Sequence, residues 1–349
     1  MYCEAITEFG KPLQRLELPT PVPTGTQVLV RVEHCGVCHS DVHIHEGYFD
    51  MGGGAKLPLG LPMPHTLGHE VAGEVIAVGP DADPALIGQH RALFTWIGCG
   101  ECAACLRGEE NYCNRPRNLG CSAGVPGGYA SHIVIPDPKY LIDYGSTSPA
   151  LAAAYMCSGL TAFGAMKKMP KLGPKDDVLV IGAGGVGMMG VQFAKNLNGK
   201  GPLVADIDEG RLQAAMGAGA KAAYNTKDPE AIKKLMADTE GGVLGVVDFV
   251  GSEATFAFGT QAVRRGGKMV IVGLFGGGMS MPLPMFPIRA ISIGGSYVGS
   301  LAECQEMMDL VRAGQIDPIP VREVPLSQAN QVLDDLKEGK VIGRVVLVP

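Results

Sequence analysis

The sequence has no block of like charge. Its 29 Lys and Arg are scattered among 35 Asp and Glu, giving a formal net charge of −6. No broad cationic face for a nucleic-acid backbone is expected, so nucleic acid is excluded as a first reading. The glycines follow no three-residue period, which removes collagen, and there is no internal repeat or low-complexity tract. Unbroken apolar runs are also missing. Residues 178–194 and 269–288 carry no charge, but glycines interrupt the first, and four glycines and three prolines interrupt the second. Neither suits a continuous membrane span, and both read as buried parts of a soluble fold. Residues 1–11 hold Glu4, Glu8 and Lys11 and no apolar core, so no secretory leader is expected and the predicted location is cytoplasmic.

What remains is ample for a packed interior. The 349 residues are 46% hydrophobic and only 18% charged, a length that suits about two domains. Glycine supplies 50 residues, about twice its usual share of roughly 7%, as expected of a fold with many tight strand-to-helix turns. Ten cysteines in such a chain point to metal ligands, catalytic groups or free thiols before disulfides. Four of them fall within fifteen residues and the other six are dispersed.

The first third reads as β-rich, with polar and apolar residues alternating over 27–33 and similar strands over 71–78 and 129–135. Near residue 150 the pattern changes to short apolar run, glycine turn and helical segment, repeated. Strands are predicted at 178–181, 203–205, 246–250 and 268–273, with helices over 184–198 and 211–216 between them. Alternation of this kind implies an α/β, doubly wound parallel sheet. A helix over 301–313 and a strand over 344–348 close the chain.

Three motifs can carry chemistry. Gly182-Ala-Gly-Gly-Val-Gly187 follows an apolar strand and opens a helix. Gly182 permits the turn, Gly184 lets the backbone approach a pyrophosphate, and Gly187 allows close helix–strand packing. Gly185 and Val186 start the helix whose N–H groups face the phosphates. Asp206, at the end of the next strand, would accept hydrogen bonds from ribose hydroxyls and repel a 2′-phosphate, so NAD is expected over NADP. Cys99, Cys102, Cys105 and Cys113 supply the four thiolates of a closed zinc site. Four reduced thiols or a disulfide pair are the competing readings. They are disfavoured because so little apolar residue is present to fold residues 98–114 otherwise. The third set is looser: Cys35-Gly-Val-Cys38-His-Ser-Asp41-Val-His43, then Gly68-His-Glu70, then Cys157. Taken singly, His69 reads as a satisfied turn histidine and Cys157 as a small buried hydrophobe. Cys35 and Cys38 mimic a redox pair, without a thioredoxin-like pattern around them.

Together these pieces resemble the zinc-dependent medium-chain alcohol dehydrogenases over essentially the whole chain. Gly36-Val-Cys-His-Ser-Asp41, Gly68-His-Glu70, the four-cysteine loop, Cys157-Ser-Gly-Leu-Thr161, the glycine turn with Asp206, and Gly343-Arg344 occur in the family's order. The resemblance implies a β-rich GroES-like catalytic domain over 1–155 and 294–349, and a Rossmann NAD-binding domain over 156–293. It makes Cys38, His69 and Cys157 the ligands of a catalytic zinc with one position left open. Glu70 becomes a carboxylate able to approach that metal, and Asp41 the group that orients the His69 ring. Ser40 takes the proton of the alcohol and His43 ends the relay. His39 and Arg344 contact the pyrophosphate, Thr161 the nicotinamide side and Arg211 the adenosine ribose, with Val250 and Val272 also on the cofactor. Cys35 is left to packing.

The resemblance further implies two zinc ions per chain and a small alcohol, aldehyde or ketone as substrate. The short segment 113–128 resembles the tetrameric members, with a homodimer as the alternative. The interval from Cys38 to His69 is longer than the family pattern, and its extra loop over 44–64 is expected to rim the substrate cleft. Trp96 and Tyr297 are candidates for the pocket wall. A polyol-, sugar- or aldehyde-specific dehydrogenase, a zinc-free reductase, and a non-catalytic zinc- and nucleotide-binding redox sensor are the competing functions.

Overall fold

A computed structural model describes residues 1–349. The chain forms two compact units. One comprises Met1–Tyr48, Pro58–Leu160 and Gly299–Pro349, the other Phe49–Leu57 and Thr161–Val298.

The first unit is built on a seven-stranded sheet. Its order runs Leu141–Ile142, His90–Leu93, Glu70–Val78, Val28–Gly36, Arg344–Val348 and Val321–Pro325, and His132–Ile135 also pairs with Val28–Gly36. The alternation read over 27–33 is only part of this central strand. Val28, Val30 and Val32 are buried and Arg31 between them is exposed, as the alternation implies, while Leu29 is buried as well and the strand continues to Gly36. The C-terminal strand returns antiparallel to it, pairing Val346 with Gly36 and Leu347 with Cys35. The strand expected over 129–135 shortens to His132–Ile135, because Ala130 instead bridges to Cys3. One helical stretch, Pro149–Lys167, is apolar and long enough to cross a membrane, but 94% of its most apolar window is buried inside the protein.

The second unit holds a six-stranded, wholly parallel sheet. Its order is Ala222–Asn225, Leu203–Asp206, Val178–Ile181, Val243–Asp248, Val263–Ile271 and Ser292–Gly295. Helices Gly185–Asn198, Glu209–Gly217, Ala231–Asp238 and Glu253–Ala262 make the connections. Chain order reverses between Val178–Ile181 and Val243–Asp248. Sheets of this kind bind ligands beyond the carboxyl ends of their strands at that reversal. Leu179, Ile181, Leu203, Ala205, Val246 and Met269 form the core beneath it.

Three pieces fall on the other side of the sequence-based division. Phe49–Leu57 groups with the second unit, where the Gly52 backbone lies so close to Gly277 and Gly278 that a Cβ would collide. Residues 156–160 stay with the first unit, because Cys157 and Ser158 are buried against its other residues. Gly294 and Gly295 remain paired to Val270 and Ile271 in the parallel sheet.

Candidate active site

The four-cysteine loop is held by short local elements, the helix Ala103–Leu106 and the turn Glu110–Tyr112. Its sulfur atoms lie 3.5 Å (Cys102–Cys105), 3.8 Å (Cys102–Cys113) and 3.9 Å (Cys99–Cys105) apart. A disulfide needs about 2.05 Å. A tetrahedron with Zn–S of about 2.3 Å has edges of about 3.8 Å, so the donor set fits zinc. The Cys113 thiol accepts the N–H groups of Cys99 and Arg115, both at 3.3 Å. Backbone N–H groups of Glu101 and Cys102 lower the Cys99 thiol to about 6, favouring the thiolate a metal requires. Glu110 is the member the sequence did not reveal. Its buried carboxylate accepts from the Gly98 N–H at 2.9 Å, the Tyr140 hydroxyl at 2.6 Å and the Lys139 ammonium at 3.0 Å.

The looser constellation closes up in the same unit. One ligand atom from each of Cys38, His69, Glu70 and Cys157 lies within 4.8 Å of the others, and all four residues are buried. Cys38 precedes the helix His39–Glu46, and Glu70 begins the strand beside Val28–Gly36. Gly36, paired with Glu70, is obligatory because a Cβ there would collide with the Glu70 carboxylate. Cys157 lies in a π-helical turn, Tyr155–Gly159, between two α-helical stretches, an irregularity frequent at functional sites.

Asp41 ties this group together. Fully buried, it accepts from the Cys38 N–H at 2.9 Å, the Gly68 N–H at 3.3 Å and the Tyr129 hydroxyl at 3.3 Å. It also lies 3.4 Å from His69 Nδ1. With Asp41 facing Nδ1, Nε2 of buried His69 has no hydrogen-bond partner, which suits an imidazole that ligates through that nitrogen. Burial disfavours its charged form, but Cys121, Cys157 and Asp41 outweigh that and raise its pKa well above the usual range. A hydrogen bond from Cys157 lowers the Cys38 thiol well below its ordinary value, against the cost of burial. Thr95 donates to the His69 carbonyl at 2.5 Å, and the buried Trp96 meets the His69 ring edge to face at 5.6 Å.

Glu70 is spoken for on both oxygens. One accepts the Ser158 hydroxyl at 2.7 Å, and the other the Arg344 guanidinium at 2.5 Å. Burial raises its pKa and Arg344 opposes the rise. Arg344, expected on a pyrophosphate, is 4% exposed and turned onto Glu70, with its Nε unpartnered. Ser40 is half-buried, its hydroxyl 3.8 Å from the Cys38 sulfur. His39 and His43 meet edge to face at 5.3 Å on one helix face. Burial holds both imidazoles below their usual pKa. Cys35 is buried beneath the site with a raised pKa from burial, and all ten cysteines are free thiols.

In the second unit the glycine turn leaves Val178–Ile181 as expected. Gly182 has φ +86°, and a Cβ on Gly187 would collide with the Gly182 carbonyl. Nothing lies within 4 Å of where a Cβ on Gly184 would sit, and no side chain caps the helix that begins at Gly185 and runs through Val186. That open cradle of N–H groups suits a pyrophosphate. Asp206 is buried and accepts from Ala183 N–H at 2.7 Å and Asp208 N–H at 3.0 Å. Arg211 lies in the first turn of the next helix, its N–H on Asp208 at 2.9 Å. Thr161 opens this unit and is half-buried, and Tyr297 is 46% exposed. Val250 and Val272 follow the ends of their strands.

Residues 24–144 match the family model for the alcohol dehydrogenase GroES-like domain, and residues 185–313 that for zinc-binding dehydrogenases. The chain is 37% identical over 348 residues to NAD-dependent alcohol dehydrogenases of Sulfurisphaera tokodaii and Saccharolobus solfataricus, covering 99% of each partner. Among solved structures, the alcohol dehydrogenase of Aeropyrum pernix superposes with a TM-score of 0.90 at 29% identity, over the full length of both chains. The acetophenone reductase of Geotrichum candidum, solved with NAD, superposes at 0.85 and 29% identity over 100% of this chain and 97% of that one.

Proposed function

The chain belongs to the zinc-type medium-chain alcohol dehydrogenases, and from that premise we propose that it transfers a hydride reversibly between a primary or secondary alcohol and NAD. The observation that carries the proposal is the convergence of Cys38, His69 and Cys157 on one buried point, with Asp41 facing Nδ1 of the His69 ring at 3.4 Å. Two thiolates and an imidazole would hold zinc and leave a fourth position for substrate. A zinc ion there supplies Lewis acidity, bringing an alcohol's pKa of roughly 16 down toward neutrality as it does for water. Gly182, Gly184, Gly185 and Gly187 would hold NAD, which would supply the hydride acceptor.

The rest is the work of this chain's own residues. Asp41 holds the Cys38 and Gly68 peptides and faces the His69 ring, which keeps two ligands in register before metal arrives. Ser40 takes the alcohol proton at its hydroxyl and passes it to His43. Burial keeps His43 neutral at pH 7 and therefore able to accept. Glu70 balances the buried charge of Arg344 beside the thiolates. Cys99, Cys102, Cys105 and Cys113 would hold a second zinc with four thiolates, a donor set that would leave no position for substrate and so would serve structure. The solution form is proposed to be a homotetramer, with a homodimer as the alternative.

The name of the Geotrichum neighbour, acetophenone reductase, favours a ketone-forming arm alongside the aldehyde-forming one. NADH formation should be followed with ethanol, benzyl alcohol, 2-butanol and sorbitol, with and without a chelator and with NADP in parallel. Chelator-sensitive turnover of the simple alcohols with NAD is the expected result. Exclusive use of sorbitol would move the assignment to polyols. NADH binding without turnover of any alcohol would support a binding protein instead.

A further inference from the structure

The strand Val243–Asp248 is apolar except for its last residue, and that residue has no place in the chemistry above. Asp248 is 0% exposed. Its carboxylate Oδ1 accepts the N–H groups of Val250 at 2.9 Å and Gly251 at 3.0 Å, and the Thr255 side chain also acts on the carboxylate. Its carbonyl accepts the N–H groups of Val272 at 2.8 Å and Gly273 at 3.1 Å. One residue thus holds the first turns of two loops leaving the carboxyl edge of the sheet.

The third loop at that edge is the glycine turn, and it rests on the same assembly. A Cβ on Gly182 would collide with Val250 Cγ2, and one on Gly273 with the Val250 carbonyl. Phe249 N–H reaches back to the Ile181 carbonyl at 2.9 Å, directly before Gly182. The three loops have no slack between them, so displacement of Val250 is transmitted to the turn that faces the pyrophosphate. Sub-ångström errors in such a cradle are costly in binding and catalysis.

We infer that Asp248 is a positioning residue of the dinucleotide site, its carboxylate fixing the 249–251 turn so that Val250 braces Gly182. The inference rests on NAD lying along Gly182–Gly187. Burial pushes the Asp248 carboxyl upward, so retaining an acid here is a cost that the two N–H bonds offset. Both backbone N–H groups fall on Oδ1, so an asparagine keeps the acceptor that holds the turn.

The test compares Asp248→Val with Asp248→Asn in the zinc-loaded enzyme, reading NADH dissociation constant, KM for NAD, kcat at saturating NAD, zinc content and thermal melting. Asp248→Val is expected to raise the dissociation constant and KM about tenfold, with kcat changing less than about threefold and zinc content constant. Asp248→Asn is expected to return both to within about threefold of the parent. A Val variant that binds NADH as the parent does would overturn the inference, even if its melting temperature falls. So would an Asn variant as weak as the Val variant. Should the Val variant fail to fold, Asp248→Ser, whose shorter hydroxyl cannot hold both N–H groups, takes its place. Weakened NADH binding by the Ser variant is then expected, and parental binding overturns the inference. A parent that binds no NADH would overturn the dinucleotide reading itself and this inference with it.

Discussion

Asp206 does two things with one carboxylate. The sequence reading gave it the ribose hydroxyls, but the structure commits one oxygen to the Ala183 N–H inside the glycine turn and the other to Asp208 N–H. A carboxylate has about four lone-pair sites, so these bonds leave room for the ribose. They do mean that charge and geometry can be separated by substitution. Asp206→Asn keeps an acceptor for Ala183 but removes the charge that repels a 2′-phosphate. It is expected to narrow the NAD-to-NADP preference by about tenfold or more, with a smaller loss for NAD itself. Asp206→Ala loses both and should raise KM for both coenzymes, because the Ala183 amide is then unheld. Steady-state kinetics with the two coenzymes decide it; an Asn variant still strictly NAD-dependent would remove the electrostatic role.

At the scale of elements, what was legible in the sequence is what is local. The glycine turn and the four-cysteine spacing depend on residues a few positions apart. Tyr129 on Asp41 and Ser158 on Glu70 each span 88 positions, and a lone hydroxyl residue carries no signal over that distance. The strand read as 246–250 ends at Asp248, because its own side chain turns Val250 and Gly251 out of the sheet. Glu110 was hidden for a related reason: within the cysteine loop it looks like any surface glutamate until the fold buries it on Gly98. Outer-shell partners of metal ligands typically cost 10–100-fold in metal affinity when removed. Glu110→Ala should therefore speed zinc release to a chromogenic chelator by about tenfold, and an unchanged release rate would make Glu110 a bystander.

The short strand His65–Thr66 yields a pH dependence. His65 is 3% exposed and its Nε2 lies 3.0 Å from the Gly120 carbonyl, so Nε2 carries the proton and donates. Burial lowers its pKa, with the Gly120 carbonyl and Asp41 opposing. The unfolded chain, with a histidine pKa of about 6.5, then binds the proton more readily than the folded one. The stabilising contribution is full above that value and declines as pH falls below it toward the folded pKa. His65→Gln, which still donates to Gly120, should lose less of its urea midpoint between pH 7.5 and pH 5.5 than the parent does. Equal losses would exclude His65 as the source.

For the molecule as a whole, the two cysteine-bearing sites differ in what holds them when metal is absent. Cys38 precedes the helix His39–Glu46, His69 precedes the interior strand Glu70–Val78 and Cys157 lies in the turn Tyr155–Gly159, all braced by Asp41, Glu70 and Arg344 in a buried network. The four-cysteine loop has two short helical turns and Glu110, and three of its thiols are half-exposed. Metal-binding energy in a loop of that kind is largely folding energy, whereas a preformed site binds metal with little change in the fold. The two ions should therefore be separable in their consequences. Elemental analysis of the parent is expected to give two zinc ions per chain. Cys102→Ser should leave one and lower the melting temperature by several degrees, a loss of the size that about 1–3 kcal/mol produces in a chain of this length. Cys38→Ser should also leave one, but abolish turnover while NADH still binds, because the glycine turn belongs to the other unit. One zinc in the parent would remove one of the sites. Loss of both ions from either single variant would show that the two sites are not independent, and the division into a structural and a catalytic ion would fall with it.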